Sequence, residues 1–171
     1  MLNLPKIAKI YGLDPAKLRS DRARGALPLS GREEGKNPSY GPEELVAFAL
    51  HEELLARNFT RQSAAREVVV SDAPFQVLKL LKEGDLTDCL LVLYREPEEH
   101  PKIRGLATPL HRHAFVKARD LPDHITRLAP RVGSFTVIPL VPLWNKLVAR
   151  AAVAGVALYA NGEMIIETDA E

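Results

Sequence analysis

The sequence predicts an α+β chain, mostly helical at its N-terminal end and mixed α/β after that. Two observations predict it. Through about residue 70, apolar residues recur at helical spacing between cap and stop residues. Beyond residue 85, β-like apolar runs appear, with an Asn161-Gly162 hairpin signal. The charge also divides: residues 1–32 hold seven Lys/Arg against two Asp, whereas 67–171 hold twelve Lys/Arg against fourteen Asp/Glu. One segment is built to meet a polyanion, and the rest has another task.

The elements follow in order. Leu4, Ile7, Ala8 and Ile10 predict a helix over 4–11, with Pro5 in its first turn and Gly12 as its stop. Asp14 caps a second helix over 15–24, opened by Pro15 and stopped by Gly25, with Leu18 turned inward. Residues 26–41 hold two Pro, three Gly, two Ser and an Asn, the composition of a hairpin or irregular loop. Pro42-Glu43-Glu44 starts a third helix to about residue 57, with Leu45, Phe48, Ala49 and Leu55 on its stripe. Phe48 and Phe59 are core candidates, and His51 reads as a helix-surface histidine. Asn58 suits a left-handed cap, and Thr60 caps a fourth helix over 61–68. A fifth spans about 73–82 and breaks at Gly84-Asp85.

In the second half, 89–94 and 113–118 read as strands and 120–128 as a short helix. Residues 134–141 read as a strand whose far end Pro139 and Pro142 demote to an edge. An apolar helix follows over 144–154. Strands 156–160 and 163–167 flank Asn161-Gly162.

Composition limits the function classes. A chain of 171 residues with 46% apolar and 26% charged content allows one domain or two small ones. Ser71-Asp72-Ala73-Pro74 reads as a linker and helix start, which gives segments 1–70 and 72–171. No apolar run approaches the roughly 20 residues that span a bilayer, and MLNLPKIAKI has no secretory apolar block. A cytoplasmic protein without a membrane partner is expected. Cys89, the single cysteine, excludes an internal disulfide and reads as a buried thiol. Gly31 and Gly35 lack a following Lys-Ser/Thr, and Ser134 lacks a Gly-x-Ser-x-Gly context. Catalysis, a cofactor and a metal are therefore not expected.

The N-terminal residues carry a resemblance. Ile7-Ala8-Lys9-Ile10-Tyr11-Gly12 is followed by Leu18-Arg19 and then by Asp21-Arg22-Ala23-Arg24-Gly25-Ala26-Leu27-Pro28. Tyr40-Gly41-Pro42-Glu43-Glu44-Leu45 and Leu55-Ala56-Arg57-Asn58-Phe59-Thr60 come after it. In this order and spacing, residues 4–70 resemble the MerR-type winged helix-turn-helix. The resemblance implies a recognition helix at 15–24, a wing at 26–41 and two helices packed behind. It departs from the family at Ser20-Asp21, where an aromatic pair is usual. Pro74 and Gly84 also interrupt the long dimerising helix, so the family's metal or drug sensing does not carry over.

A recognition helix presents side chains to base edges in the major groove. Lys17, Arg19 and Arg22 are the candidate groove residues, with Ser20 beside them. The arginine fork matches the two acceptors of guanine. Arg24, Arg32 and Lys36 are candidate phosphate contacts, and Asn37, Ser39 and Tyr40 are candidate donors from the wing. Arg19 has another possible partner in Glu43 or Glu44.

The expected function is a bacterial or phage-type transcriptional regulator that reads double-stranded DNA. Segment 72–171 is expected to hold a homodimer or to meet a protein or small-molecule effector. Trp144 and the 156–167 hairpin are candidates for the dimer surface. One alternative is an excisionase-like architectural protein. Another is an effector-sensing or enzymatic C-terminal half using His111 and His113, which alternation places on one face of a strand, near His100, His124, Asp120 and Asp123 in sequence.

Overall fold

The computed structural model describes residues 2–28, 39–96, 110–159 and 163–166. It is a mixed α+β fold in which helices pack against one face of an antiparallel sheet. Helices α1 (Leu4–Tyr11) and α2 (Pro15–Ala23) are joined by a three-residue turn. Asn3 Oδ1 accepts from Lys6 N at 3.0 Å, and Asp14 Oδ1 accepts from Ala16 N at 2.9 Å. Gly12 stops α1 at φ 61°, a left-handed conformation that glycine adopts without Cβ strain.

Helix α3 (Pro42–Ala56) is the hub. Its run Leu45 to His51 is buried without interruption, and Leu54 is buried as well. A helix that is apolar on all sides has no solvent face, so it must be enclosed. Helices α4 (Arg61–Val70), α5 (Ala73–Lys82) and α7 (Leu140–Val153) surround it. At the start of α3, Glu44 Oε2 accepts from Gly41 N at 2.7 Å. At the start of α4, Thr60 Oγ1 accepts from Ser63 N at 3.2 Å. Helix α1 is locked to α3 by Tyr11, whose hydroxyl donates to Leu45 O at 2.7 Å and whose ring stacks on Phe48 at 5.3 Å. Burial raises the Tyr11 pKa, so this donor stays protonated.

The sheet has the order β2-β1-β3, all antiparallel: β1 Cys89–Glu96, β2 Leu110–Lys117 and β3 Phe135–Pro139. Cys89, Leu91 and Leu93 face the helices and belong to the main core. Leu90, Val92 and Tyr94 face the other way, where α6 (Leu121–Leu128) lies near β2. Strands β4 (Val156–Leu158) and β5 (Met164–Ile166) form a separate two-stranded ribbon against α7. The turn expected at Asn161-Gly162 lies outside the described residues, as does most of the wing.

Three expectations change here. The apolar core is continuous from Leu2 through α3 and α5 to Leu91, Trp144 and Leu158. The segment 71–74, expected as a linker and helix start, does open α5 at Ala73, and it forms a tight corner within that core. Ser71, Ala73 and Pro74 are buried and Asp72 turns the chain at φ 52°. His51 is 2% exposed rather than on the surface, and its Nε2 lies 3.2 Å from Arg61 O. Helix α7 begins at Leu140, four residues earlier than predicted. Pro139 ends the edge strand and leads directly into it, and Pro142 sits in its first turn, where no intrahelical N–H is needed.

A shared core implies shared unfolding. Leu45 lies on α3 and is fully enclosed, so Leu45→Ala is expected to cost about 2–5 kcal/mol. The sole tryptophan, Trp144, reports from α7. Its fluorescence midpoint and the helical circular-dichroism midpoint should shift together in this variant. Two separated transitions would show that the halves fold independently.

Candidate nucleic-acid interface

Helix α2 is anchored on one side and open on the other. Leu18 is buried beneath it, and Asp21 is nearly so. Asp21 Oδ2 meets Arg61 Nη1 of α4 at 3.4 Å. These two contacts fix the rotation of the helix. Lys17, Arg19 and Arg24 are then exposed, and Ser20 and Arg22 are half-buried. Arg19 forms no ion pair with Glu43 or Glu44 among the described residues. Glu44 is occupied by the cap at Gly41. Four of the five predicted side chains lie on this short helix, and Arg24 is its C-cap.

The other predicted contacts have different positions. Arg32, Lys36 and Asn37 lie outside the described residues. Ser39 is exposed. Tyr40 is 4% exposed, and its hydroxyl is enclosed beside Arg22. Its backbone bridges Leu2, with N···O distances of 2.7 and 2.8 Å. Tyr40 thus closes the base of the loop onto the N-terminus, and its hydroxyl does not reach a phosphate in this structure. Burial raises the Tyr40 pKa, while the nearby Arg22 guanidinium opposes that rise. Arg22 therefore serves the head's own packing as well as its surface.

Of the histidines considered for the second half, the two described side chains, His113 and His124, lie on opposite sides of the sheet. His113 lies opposite Leu93 on the helix side of the sheet, with its ring 5.7 Å from Phe115. His124 meets Tyr94, which alternation places on the opposite side, at 6.4 Å. His100 and the His111 side chain lie outside the described residues. Among the described residues, no three His, Cys, Asp or Glu side chains gather into a metal-binding group. Trp144 and Val156, expected at a dimer surface, are buried in the chain's own core. The large apolar side chains left exposed in that half include Phe75, Val141, Val153 and Tyr159.

A second concave feature escaped the sequence reading. A cleft of about 320 Å³ lies where the turn between α3 and α4 faces the ends of β1 and β3. Arg57 and Arg95 line it, with Phe59, Ser63, Ser134 and Thr136 between them. Arg57 Nη1 donates to Glu53 Oε2 at 2.6 Å and to Glu53 O at 3.0 Å, and its Nη2 donates to Val137 O at 3.3 Å. Arg95 Nη2 donates to Ser63 Oγ at 3.2 Å and lies 3.6 Å from Glu67, which is 2% exposed. The Arg95 guanidinium also sits 6.0 Å from the Phe59 ring centroid. Burial by itself would raise the Glu53 pKa, but hydrogen bonds from Arg57 and Lys146 outweigh it and hold the carboxyl below its usual range. The residues meeting here are up to 79 positions apart, from Arg57 to Thr136, so no local pattern announces them.

The chain matches no known protein family, and no curated protein matches it. Among the described residues, no helix is long and apolar enough to cross a membrane.

His51 makes this region pH-dependent. Burial lowers its pKa below the usual 6.5, although the bond to Arg61 O opposes that shift. The unfolded chain then binds the proton more readily, so stability present above pH 6.5 is lost as pH falls toward the folded pKa. His113 is shifted the same way, again by burial. His51→Gln keeps an N–H donor but does not titrate. Denaturant midpoints measured from pH 7.5 to 5 should fall less steeply in this variant than in the wild type. Equal slopes would contradict the assignment.

Proposed function

We propose that the chain is a DNA-binding regulator that reads duplex DNA with α2. The observation that carries this reading is the cationic surface of α2. Lys17 and Arg19 of the helix and Arg24 at its C-cap are exposed, around a side anchored by Leu18 and the Asp21–Arg61 pair. Lys17 and Arg19, two positions apart, flank the anchored side rather than share one face. An anchored cationic helix suits groove recognition, since base contacts require a defined register. The resemblance to the MerR-type head supports the same reading. So does the charge split between residues 1–32 and the rest. Arg32 and Lys36 remain candidate phosphate contacts on the sequence alone, and Tyr40 is withdrawn from the set. A homodimer through 72–171 belongs to this reading, with its contacts drawn from Phe75, Val141, Val153 and Tyr159 instead of Trp144.

Binding of the whole chain to a duplex selected from a random library tests the proposal. Affinity should fall on raising salt, with a log–log slope of about −0.9 for each phosphate neutralised. Arg19→Ala should lower affinity for the selected duplex by about 1–3 kcal/mol and narrow the gap to random duplex. Lys36→Ala should weaken both about equally. Tyr40→Phe should change neither. A salt-independent affinity, or equal losses on both duplexes for Arg19→Ala, would remove the recognition role of α2.

A further inference from the structure

We infer that the cleft between the α3–α4 turn and the sheet is a binding site for a small polar organic oxyanion, a hydroxylated carboxylate or phosphate. The inference concerns ligand binding alone and does not depend on the DNA reading.

Two guanidinium groups converge on this cleft, and each is pinned by the protein. Arg95 is set by Phe59 on one side and by Ser63 and Glu67 on the other. Arg57 is set by Glu53 and by the backbone of β3. Their side chains are nonetheless 41% and 33% exposed. A free surface arginine samples many rotamers, so an anion must pay to order it. Here the ordering is already built in. Each fork carries five N–H donors, more than these partners accept. Fork geometry suits a carboxylate or phosphate.

The remaining lining defines the ligand further. Thr136, Ser134 and Ser63 offer hydroxyls beside the apolar Leu93 and Phe59, which suits a small ligand carrying hydroxyls on a short carbon body. The volume of about 320 Å³ is at the small end for ligand sites. Glu67 does not repel the anion from the opening, because it is buried and set against Arg95. The walls come from both halves of the chain: Arg57 from the end of α3 and Ser63 from α4, Arg95 and Thr136 from the sheet. Arg61, four residues on from Arg57, grips Asp21 of α2. An occupied cleft is therefore one short turn away from the basic helix.

The test is titration of the full chain at constant ionic strength, followed by calorimetry and thermal midpoint. The probes are malate and glycerol phosphate, with malamide and glycerol as neutral counterparts. At least one oxyanion should saturate a single site, and its neutral counterpart should bind at least tenfold more weakly. Whether malate or glycerol phosphate wins distinguishes the two head groups. Arg95→Gln combined with Glu67→Gln removes both charges of the pair together. It should lower the affinity about tenfold or more, the scale of one charged hydrogen bond. Thr136→Val and Ser63→Ala, milder changes, should each weaken binding severalfold and decide the matter if the double variant does not fold. Lys79→Ala, on an exposed part of α5, should leave affinity unchanged. Absence of saturation with either anion at tens of millimolar would overturn the inference. So would equal binding of neutral counterparts, or full affinity in the folded Arg95 and Thr136 variants.

Discussion

Everything in this structure depends on the enclosure of helix α3. Its apolar residues point in every direction, so a two-layer arrangement with one solvent face would leave several of them wet. Phe48, Leu45, Leu50 and Leu54 are each fully buried. Each such side chain contributes roughly 1.5–3 kcal/mol relative to exposure. The helix gains this only when α4, α5 and α7 pack around it and Tyr11 of α1 covers Leu45 and Phe48. That single constraint ties the basic N-terminal helices to the sheet. It also explains why polar residues near the ends of α3 serve as couplings. Tyr11 hydrogen-bonds its backbone, His51 reaches α4, and Glu52 and Glu53 pair with Arg150 and Lys146 of α7.

This arrangement gives the proposed DNA-facing helix an unusual footing. Helix α2 itself buries little. Its position is set through Leu18 and through Asp21–Arg61, and Arg61 stands at the start of α4. The turn leading into α4 is also a wall of the arginine-lined cleft. The same few residues thus lie between the basic helix and the sheet. Partly exposed ion pairs of this kind contribute little to stability, about 0–1 kcal/mol each. Their consequence is orientation: they select one rotation of α2 over its neighbours.

The local elements were legible because their signals are local. Asp14-Pro15, Gly12, Asn58 and Thr60 each carry their own cap chemistry, and each acts as that chemistry requires. The first six residues of the strand over 89–96 are legible as the apolar run 89–94. What the sequence did not show depends on contacts distant along the chain. His51 looked like a surface residue because helical spacing was counted along one stripe. The run Leu45-Val46-Ala47-Phe48-Ala49-Leu50 before it was the available signal that no surface stripe exists. Ser71-Asp72-Ala73-Pro74 has linker composition, yet composition cannot tell a linker from a buried corner. Trp144 suited an interface as well as a core, and the packing of α7 on α3 decided for the core. The cleft had no sequence signature, since Arg57 and Arg95 sit on different elements and become neighbours only after the sheet docks.

The central claim is that α3 joins the N-terminal helices and the sheet into one cooperative unit. Native-state hydrogen exchange of the whole chain tests it most directly, because it reads opening free energies element by element. The account predicts that the slowest amides of α3, β1 and α7 exchange with one common free energy, equal to that of global unfolding. It would be contradicted if α3 opened at a distinctly lower free energy than β1 and α7, since the helices would then be a separate unit resting on the sheet.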